Sequence, residues 1–249
     1  LKNEKRSMNT LNILTISFEE EIHAKQLPAF RGAIAQKAGK EASLFHQHEG
    51  NKLRYRYPLI QYKTFFRKPS MVCLQDGVEE IHAFFSQPDW SIMLHDKKME
   101  LHIHNMKLHQ HRLQLFQQYF SYRIPNWLAL NQKNWKAYQE MDSLLERIHF
   151  LERILLGNIL SFAKGVGWHI EGEVKVHILK LGDHYPVSMK GVTLRAFPVT
   201  FKTNVSLPLH IGLGGKVSHG FGVVRGMGKE GNAQAINGIN QQVKVNKHG

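Results

Sequence analysis

Apolar and polar residues alternate from the start of the chain. In NTLNILTISFE, residues 9–19, Leu14, Ile16 and Phe18 recur at a period of two, which predicts a first strand. A helix follows at about residues 25–40, with Pro28 in its first turn and Phe30 and Ile34 one turn apart. KLRYRYP, residues 52–58, returns to alternation, with Arg54 and Arg56 on one face and Tyr55 and Tyr57 on the other. SMVCL, residues 70–74, is a short apolar strand, after which Asp76 is placed to cap a helix striped by Val78, Ile81 and Phe85. A further strand near SIMLHD, residues 91–96, ends this stretch.

That succession is β-α-β-β-α-β, the ferredoxin-like order that RNA-recognition modules also use. A second unit is expected from residue 98. MELHIHNMKLHQHRLQLFQQYFSYRI supplies strands, with His102 and His104 opposite Leu101 and Ile103. A long helix is predicted over about residues 133–164, where Leu144, Ile148, Leu151, Leu155, Ile159 and Phe162 recur every three or four positions. KGVGW ends it, with Gly165 or Gly167 free to take the left-handed conformation. EVKVHILKL and GVTLRAFPVTF read as strands, and IGLGGKVSHGFGVV as the last ordered feature. The expected divisions are a tail at 1–8, a first domain at 9–97, a second at 98–228, and an Asn-, Gln- and Gly-rich tail at 229–249. Trp127, Trp135 and Trp168 read as core or domain-interface residues.

Composition narrows the function. The 249 residues are 42% hydrophobic, an ordinary globular proportion. Lys and Arg number 33 against 20 Asp and Glu, a net charge of +13, and 16 histidines add to it as pH falls. Such a balance favours a polyanionic partner, with nucleic acid first. Cys73 is the single cysteine, so a disulfide framework and a multi-cysteine zinc site are both excluded, which fits a reducing cytoplasm. No apolar run approaches the roughly 18 residues of a membrane span. LKNEKRSMNT has no apolar signal region, and Met8 is the expected native start.

Two segments carry candidate chemistry. GLGGKVSHGFG places glycines at 212, 214, 215, 220 and 222, as a loop that approaches phosphate closely requires. It is neither a Walker A loop nor a dinucleotide fingerprint, because Val217 stands where each needs another residue. LFHQHEGNKLRYRY, residues 44–57, sets His46 and His48 two positions apart, on one side if the chain is extended. That spacing suits an acid–base pair, a metal, or two solvated histidines. The pairs His102/His104 and His109/His111 repeat it, and read as solvated or RNA-facing strand residues, or less readily as ligands for zinc, nickel or copper.

The motif Gly212-Leu213-Gly214, five residues, Gly220-Phe221-Gly222 resembles the C-terminal glycine-rich loop of the CRISPR-associated repeat-processing endoribonucleases, the Cas-six family. GNILSFAKGVGW at 157–168, FKTNVSLPLHIGLGG at 201–215 and LPAFRGAIAQKAGKEASLFHQHEGNKLRYRYPLIQYK at 27–63 resemble its b-type branch, so the likeness runs over about residues 9–227. The resemblance implies an α+β fold of tandem ferredoxin-like (RRM-like) domains with a C-terminal glycine-rich loop. It implies binding of CRISPR repeat RNA and scission without metal or other cofactor, leaving a 2′,3′-cyclic phosphate and a 5′-hydroxyl. It places the catalytic histidines at His46 and His48, with Tyr55 as the matching tyrosine. Homodimers are frequent among relatives, and retention in a CRISPR interference complex is a further partnership to test.

Scission of this kind needs a base for the 2′-hydroxyl and an acid for the departing 5′-oxygen, and histidine serves both near neutral pH. Lys52 or Arg54 would stabilise charge developing on the scissile phosphate. Lys190, Arg195, Lys202, Lys216 and Arg225, with Gly212, Gly214, Gly220 and Gly222, are the candidate RNA contacts of the second half. Two competitors stand beside this reading. One is a relative that holds the repeat without cutting it; the other is a metal-dependent nuclease built on the histidine pairs.

Overall fold

The structure is a computed structural model that describes residues 10–39, 44, 48, 49, 52, 53, 57–189 and 191–227. In the first half, β1 (Thr10–Phe18) leads into α1 (Leu27–Ala38). Pro28 lies in the first turn of α1, and Leu27, Phe30, Ile34, Ala35 and Ala38 form its buried stripe. Next come β2 (His48–Glu49), β3 (Lys52–Leu53), β4 (Ile60–Phe65), β5 (Lys68–Leu74) and α2 (Asp76–Phe85). A hairpin of β6 (Ser91–Leu94) and β7 (Lys97–Glu100) precedes β8 (Ile103–Arg112). The four long strands form an antiparallel sheet in the order β4-β5-β1-β8. With α1 after β1 and α2 after β5, this is the ferredoxin-like arrangement.

Three expectations for this half are corrected. The second strand of the sheet is Ile60–Phe65; within KLRYRYP only Lys52–Leu53 is a described strand, and it pairs with His48–Glu49. Ser91–Leu94 forms a separate hairpin, and Ile103–Arg112 takes the fourth place in the sheet, so the first unit extends to Arg112 rather than to 97. IHNMKLHQHR hid its role because β8 is an edge strand, mostly exposed, and has no need of an apolar face. Asp76 is the first residue of α2 rather than its cap; Gln75 holds the cap position with φ of +49° and no side-chain capping bond. Asp76 and Glu79 still favour the helix by placing negative charge in its first turn.

The second half repeats the plan. β9 (Leu115–Trp127) is followed by α3 (Gln132–Gln139) and α4 (Leu144–Gly165), then β10 (Val176–Leu181), β11 (Tyr185–Met189), β12 (Val192–Val205) and β13 (Arg225–Gly226). The sheet order is β10-β12-β9-β13, with β11 paired to the outer part of β12. Where a second helix would stand between β12 and β13, the chain instead folds the glycine loop. The single predicted helix of 133–164 is two. Ser143 accepts a bond from the Glu146 amide at 3.1 Å and starts α4 afresh, as Asn131 does for α3 at 2.8 Å. Leu151, Leu155, Ile159 and Phe162 are fully buried, while Leu144 overhangs in solvent. At the other end Gly167 adopts φ of +75°, with amide bonds from Trp168 to Ala163 and from Gly167 to Lys164, the Schellman arrangement.

β5 is buried on both faces, which explains why SMVCL reads as a continuous apolar run. Met71 and Cys73 face the helices of the first half; Val72 and Leu74 join Leu11 and Ile13 in the core of the second. The open face of the first sheet is therefore roofed by the second half. Among the described residues no helix is long and apolar enough to cross a membrane.

Candidate functional site

Of the HQH segment, Leu44, His48 and Glu49 are described; His46, Arg54, Tyr55 and Lys190 lie outside the described residues. The segment starts from a fixed point, because the Leu44 amide donates to Glu80 Oε1 on α2 at 2.7 Å. It then turns through the β2–β3 hairpin, where His48 lies opposite Leu53 and Glu49 opposite Lys52. The chain is fixed again at Tyr57, whose hydroxyl donates to the Gly212 carbonyl at 2.8 Å. The Tyr57 ring meets Phe162 edge-on at 5.3 Å and lies against Gly165, where a side chain would collide with it.

Tyr57 is the first of three first-half groups that hold the glycine loop. Gln61 Oε1 accepts from the Gly212 amide at 2.9 Å while its Nε2 donates to Pro58. Lys63 Nζ donates to the Val217 carbonyl at 3.2 Å. Lys63 is 1% exposed, and burial pulls its ammonium down to about 7. From the other side, the end of β9 closes the clamp: Gly222 and Gly215 amides donate to the Asn126 and Leu128 carbonyls, and Asn126 Nδ2 donates to Gly220. Gly214 and Gly222 both sit at positive φ, +97° and +69°. A side chain at 214 would meet the Trp127 indole nitrogen at 2.7 Å, and one at 222 would enter the Leu213 carbonyl. Gly212 and Gly220 press on Val217 and Leu27 in the same way. Lys216, left-handed at φ of +56° and exposed, stands at the outer turn.

The cations around the loop separate into two groups. Arg225 lies opposite Arg123 across β13 and β9, with His210 near it, and His109 near His210 in turn. His210 is held below the usual histidine range by burial first, then by Arg225, Lys63 and His109. Lys202 sits on the open face of the second sheet, its Nζ 5.0 Å from the Tyr119 ring centre, and Arg195 lies over Trp135 at 5.6 Å. The histidine pairs are divided in use. His102 bonds Glu20 at 2.8 Å, which raises its pKa, whereas His111 Nε2 donates to the Ser206 carbonyl. Among the described residues no three His, Cys, Asp or Glu side chains are grouped to hold a metal.

Sequence reasoning missed Gln61, Lys63, Asn126 and His210, and weighed Tyr57 as a substrate-positioning or base-stacking group against an ordinary strand residue rather than as a holder of the glycine loop. The available signal was Gln61 and Lys63 at a period of two, interleaved with Ile60 and Tyr62 in a strand, since polar groups buried there need partners.

The chain matches two family models, the Cas6b N-terminal domain over residues 9–112 and the Cas6b C-terminal domain over residues 114–227. A solved structure described as Cas6b superposes with a TM-score of 0.79 at 27% identity, over 88% of this chain and 100% of that one. Another, described as the CRISPR RNA processing endoribonuclease Cas6b, gives 0.67 at 28% identity with the same coverage. A Cas6 product complex shares the fold alone, at a TM-score of 0.56 and 13% identity over 88% of this chain and 99% of that one. Over 101 residues the chain is 40% identical to the uncharacterized protein MJ0978 of Methanocaldococcus jannaschii, covering 41% of this chain and 67% of that protein. The two family models account for both halves, meeting where the first sheet ends at β8, and the chain belongs to the Cas6b family.

Proposed function

We propose that this protein is a CRISPR RNA processing endoribonuclease that cuts the repeat of a precursor transcript by attack of an internal 2′-hydroxyl. The observation that carries the reading is the Tyr57–Gly212 hydrogen bond, because it ties the chain leaving the HQH segment to the loop suited to cradle RNA phosphates. One of His46 and His48 removes the 2′-hydroxyl proton as the 2′-oxygen attacks phosphorus; the other delivers a proton to the 5′-oxygen as that bond breaks. The products are a 2′,3′-cyclic phosphate and a 5′-hydroxyl, with no water or metal consumed. Lys52 and Arg54 stabilise the charge that builds on the phosphate, and Tyr55 positions the substrate. Lys190, Arg195, Lys202, Lys216 and Arg225 hold phosphates away from the scissile one.

The test uses cognate repeat RNA in EDTA beside the same RNA with a single 2′-deoxy substitution before the scissile phosphate. The first should be cut and the second bound intact. Replacing His46 and His48 together by alanine should slow cleavage by roughly 10²–10⁴-fold while leaving binding in place. Binding without cleavage of either RNA, or activity restored only by added metal, would refute the proposal.

A further inference from the structure

Two arginines of the second half lie over aromatic rings outside the glycine loop. Trp135 and Tyr138, one turn apart on α3, stack at 5.7 Å with their planes 21° apart. Each carries a guanidinium on its ring: Arg195 from β12 lies 5.6 Å from the Trp135 centre, and Arg147 from α4 lies 5.2 Å from that of Tyr138. His184 meets Trp135 edge-on at 5.0 Å. With Gln139 these side chains line a pocket of 380 Å³, and no carboxylate lines it. Among the described residues neither arginine is in a salt bridge. Stacking fixes a guanidinium plane without using its N–H donors. Among the described residues only Arg147 Nε is committed, to the Met141 carbonyl at 3.0 Å. What remains is two guanidinium groups on one pocket with donors unused among the described residues, a pairing suited to phosphate.

The pocket adjoins the candidate site through one strand pair. Tyr138 and His184 pack on Phe197, Phe197 lies opposite Trp127, and the Trp127 indole backs Gly214. We infer that Arg147, Arg195 and Trp135 form a second phosphate subsite, which takes a phosphodiester of the bound RNA beyond the segment held at the glycine loop. The inference rests on the proposal that RNA is the substrate.

The experiment measures affinity for repeat RNA made uncleavable by the 2′-deoxy substitution, across a range of salt, with Arg195→Gln, Arg195→Lys and Arg147→Gln proteins. Arg195→Gln should bind about five- to tenfold more weakly, with a salt slope shallower by about 0.7–0.9. Arg195→Lys should recover the slope but only part of the affinity, because the charge returns without the fork. In cleavage the loss should fall on KM. Methylphosphonate scanning should find one phosphate whose neutralisation removes the difference between wild type and Arg195→Gln. Unchanged affinity and slope in Arg195→Gln, with wild type binding and cutting normally, would make the cluster packing only and leave the enzymatic proposal standing. Equally tight capture of free nucleoside monophosphate would overturn the RNA assignment. If wild type bound no repeat RNA, both would fall together.

Discussion

Tyr57 and Lys63 come from one short stretch of the first half, yet each acts on a backbone carbonyl of the glycine loop. Removing the Tyr57 hydroxyl (Tyr57→Phe) leaves the Gly212 carbonyl without that donor. It should cost about 1 kcal/mol in urea unfolding and weaken RNA binding in parallel. An unchanged unfolding midpoint would show that the bond contributes nothing. Lys63 has the opposite character, since its burial opposes folding while its hydrogen bond favours it. Its folded value, about 7, lies below the ordinary 10.5, so between these pH values the unfolded chain binds the extra proton. Stability should therefore rise as pH goes from about 7 towards 10, with the full penalty present below 7. Urea unfolding of wild type and Lys63→Met at pH 6.5 and 9.5 tests this, for parallel profiles would remove Lys63 from the account. Neither residue could be assigned from the sequence, because the partners lie some 150 positions away and a tyrosine or lysine in an alternating segment has ordinary explanations. The glycines were legible, since close approach of backbone admits few other residues.

At the scale of elements, periodicity located most helices and strands but not their partners. α1 and the buried stripe of α4 followed from spacing alone. β8 was read as strand but assigned to the second unit, because a solvent-facing edge strand carries no apolar face to show which sheet it joins. The break before α4 was written as Ser143 three residues ahead of Glu146, a capping signal overlooked within a long helical pattern. Ser143→Ala should accordingly lower stability by about 1 kcal/mol. Gly165 gives a sharper test. Glycine inside a helix usually costs about 1 kcal/mol relative to alanine, so propensity alone favours Gly165→Ala. Here an added methyl collides with Tyr57, and the variant should melt lower and bind RNA less well. A higher melting temperature would mean that Tyr57 yields without consequence.

Across the whole molecule the charges are sorted. The four strands of the first main sheet and the five of the second contain no Asp or Glu; among the described residues the acids lie on helices, loops and the two small hairpins. The sheets and the glycine loop are thus left cationic, whereas the surplus of +13 alone would not say where a polyanion binds. Arg225→Gln, which removes one charge beside His210, should reduce the salt dependence of RNA binding by about 0.7–0.9 in slope without altering the pH optimum of cleavage. A changed optimum with an unaltered slope would move Arg225 from phosphate holding to the chemistry. The roles proposed for His46 and His48 rest on family resemblance, since no spacing of histidines decides among metal, acid–base pair and solvated face.

The roofing of the first sheet has a consequence for biosynthesis. Leu11, Ile13, Val72 and Leu74 are made early, and the residues that complete their core, among them Ile211 and Leu213, follow only after most of the second half has been made. Until then the nascent chain displays an apolar sheet face with no cover, so a transcript truncated before the glycine loop should yield a sticky, chaperone-dependent fragment. The same delay provides an order of assembly: Tyr57, Gln61 and Lys63 are already waiting on the first half when the glycine loop arrives, and the late segment is moulded against a template laid down by the early one.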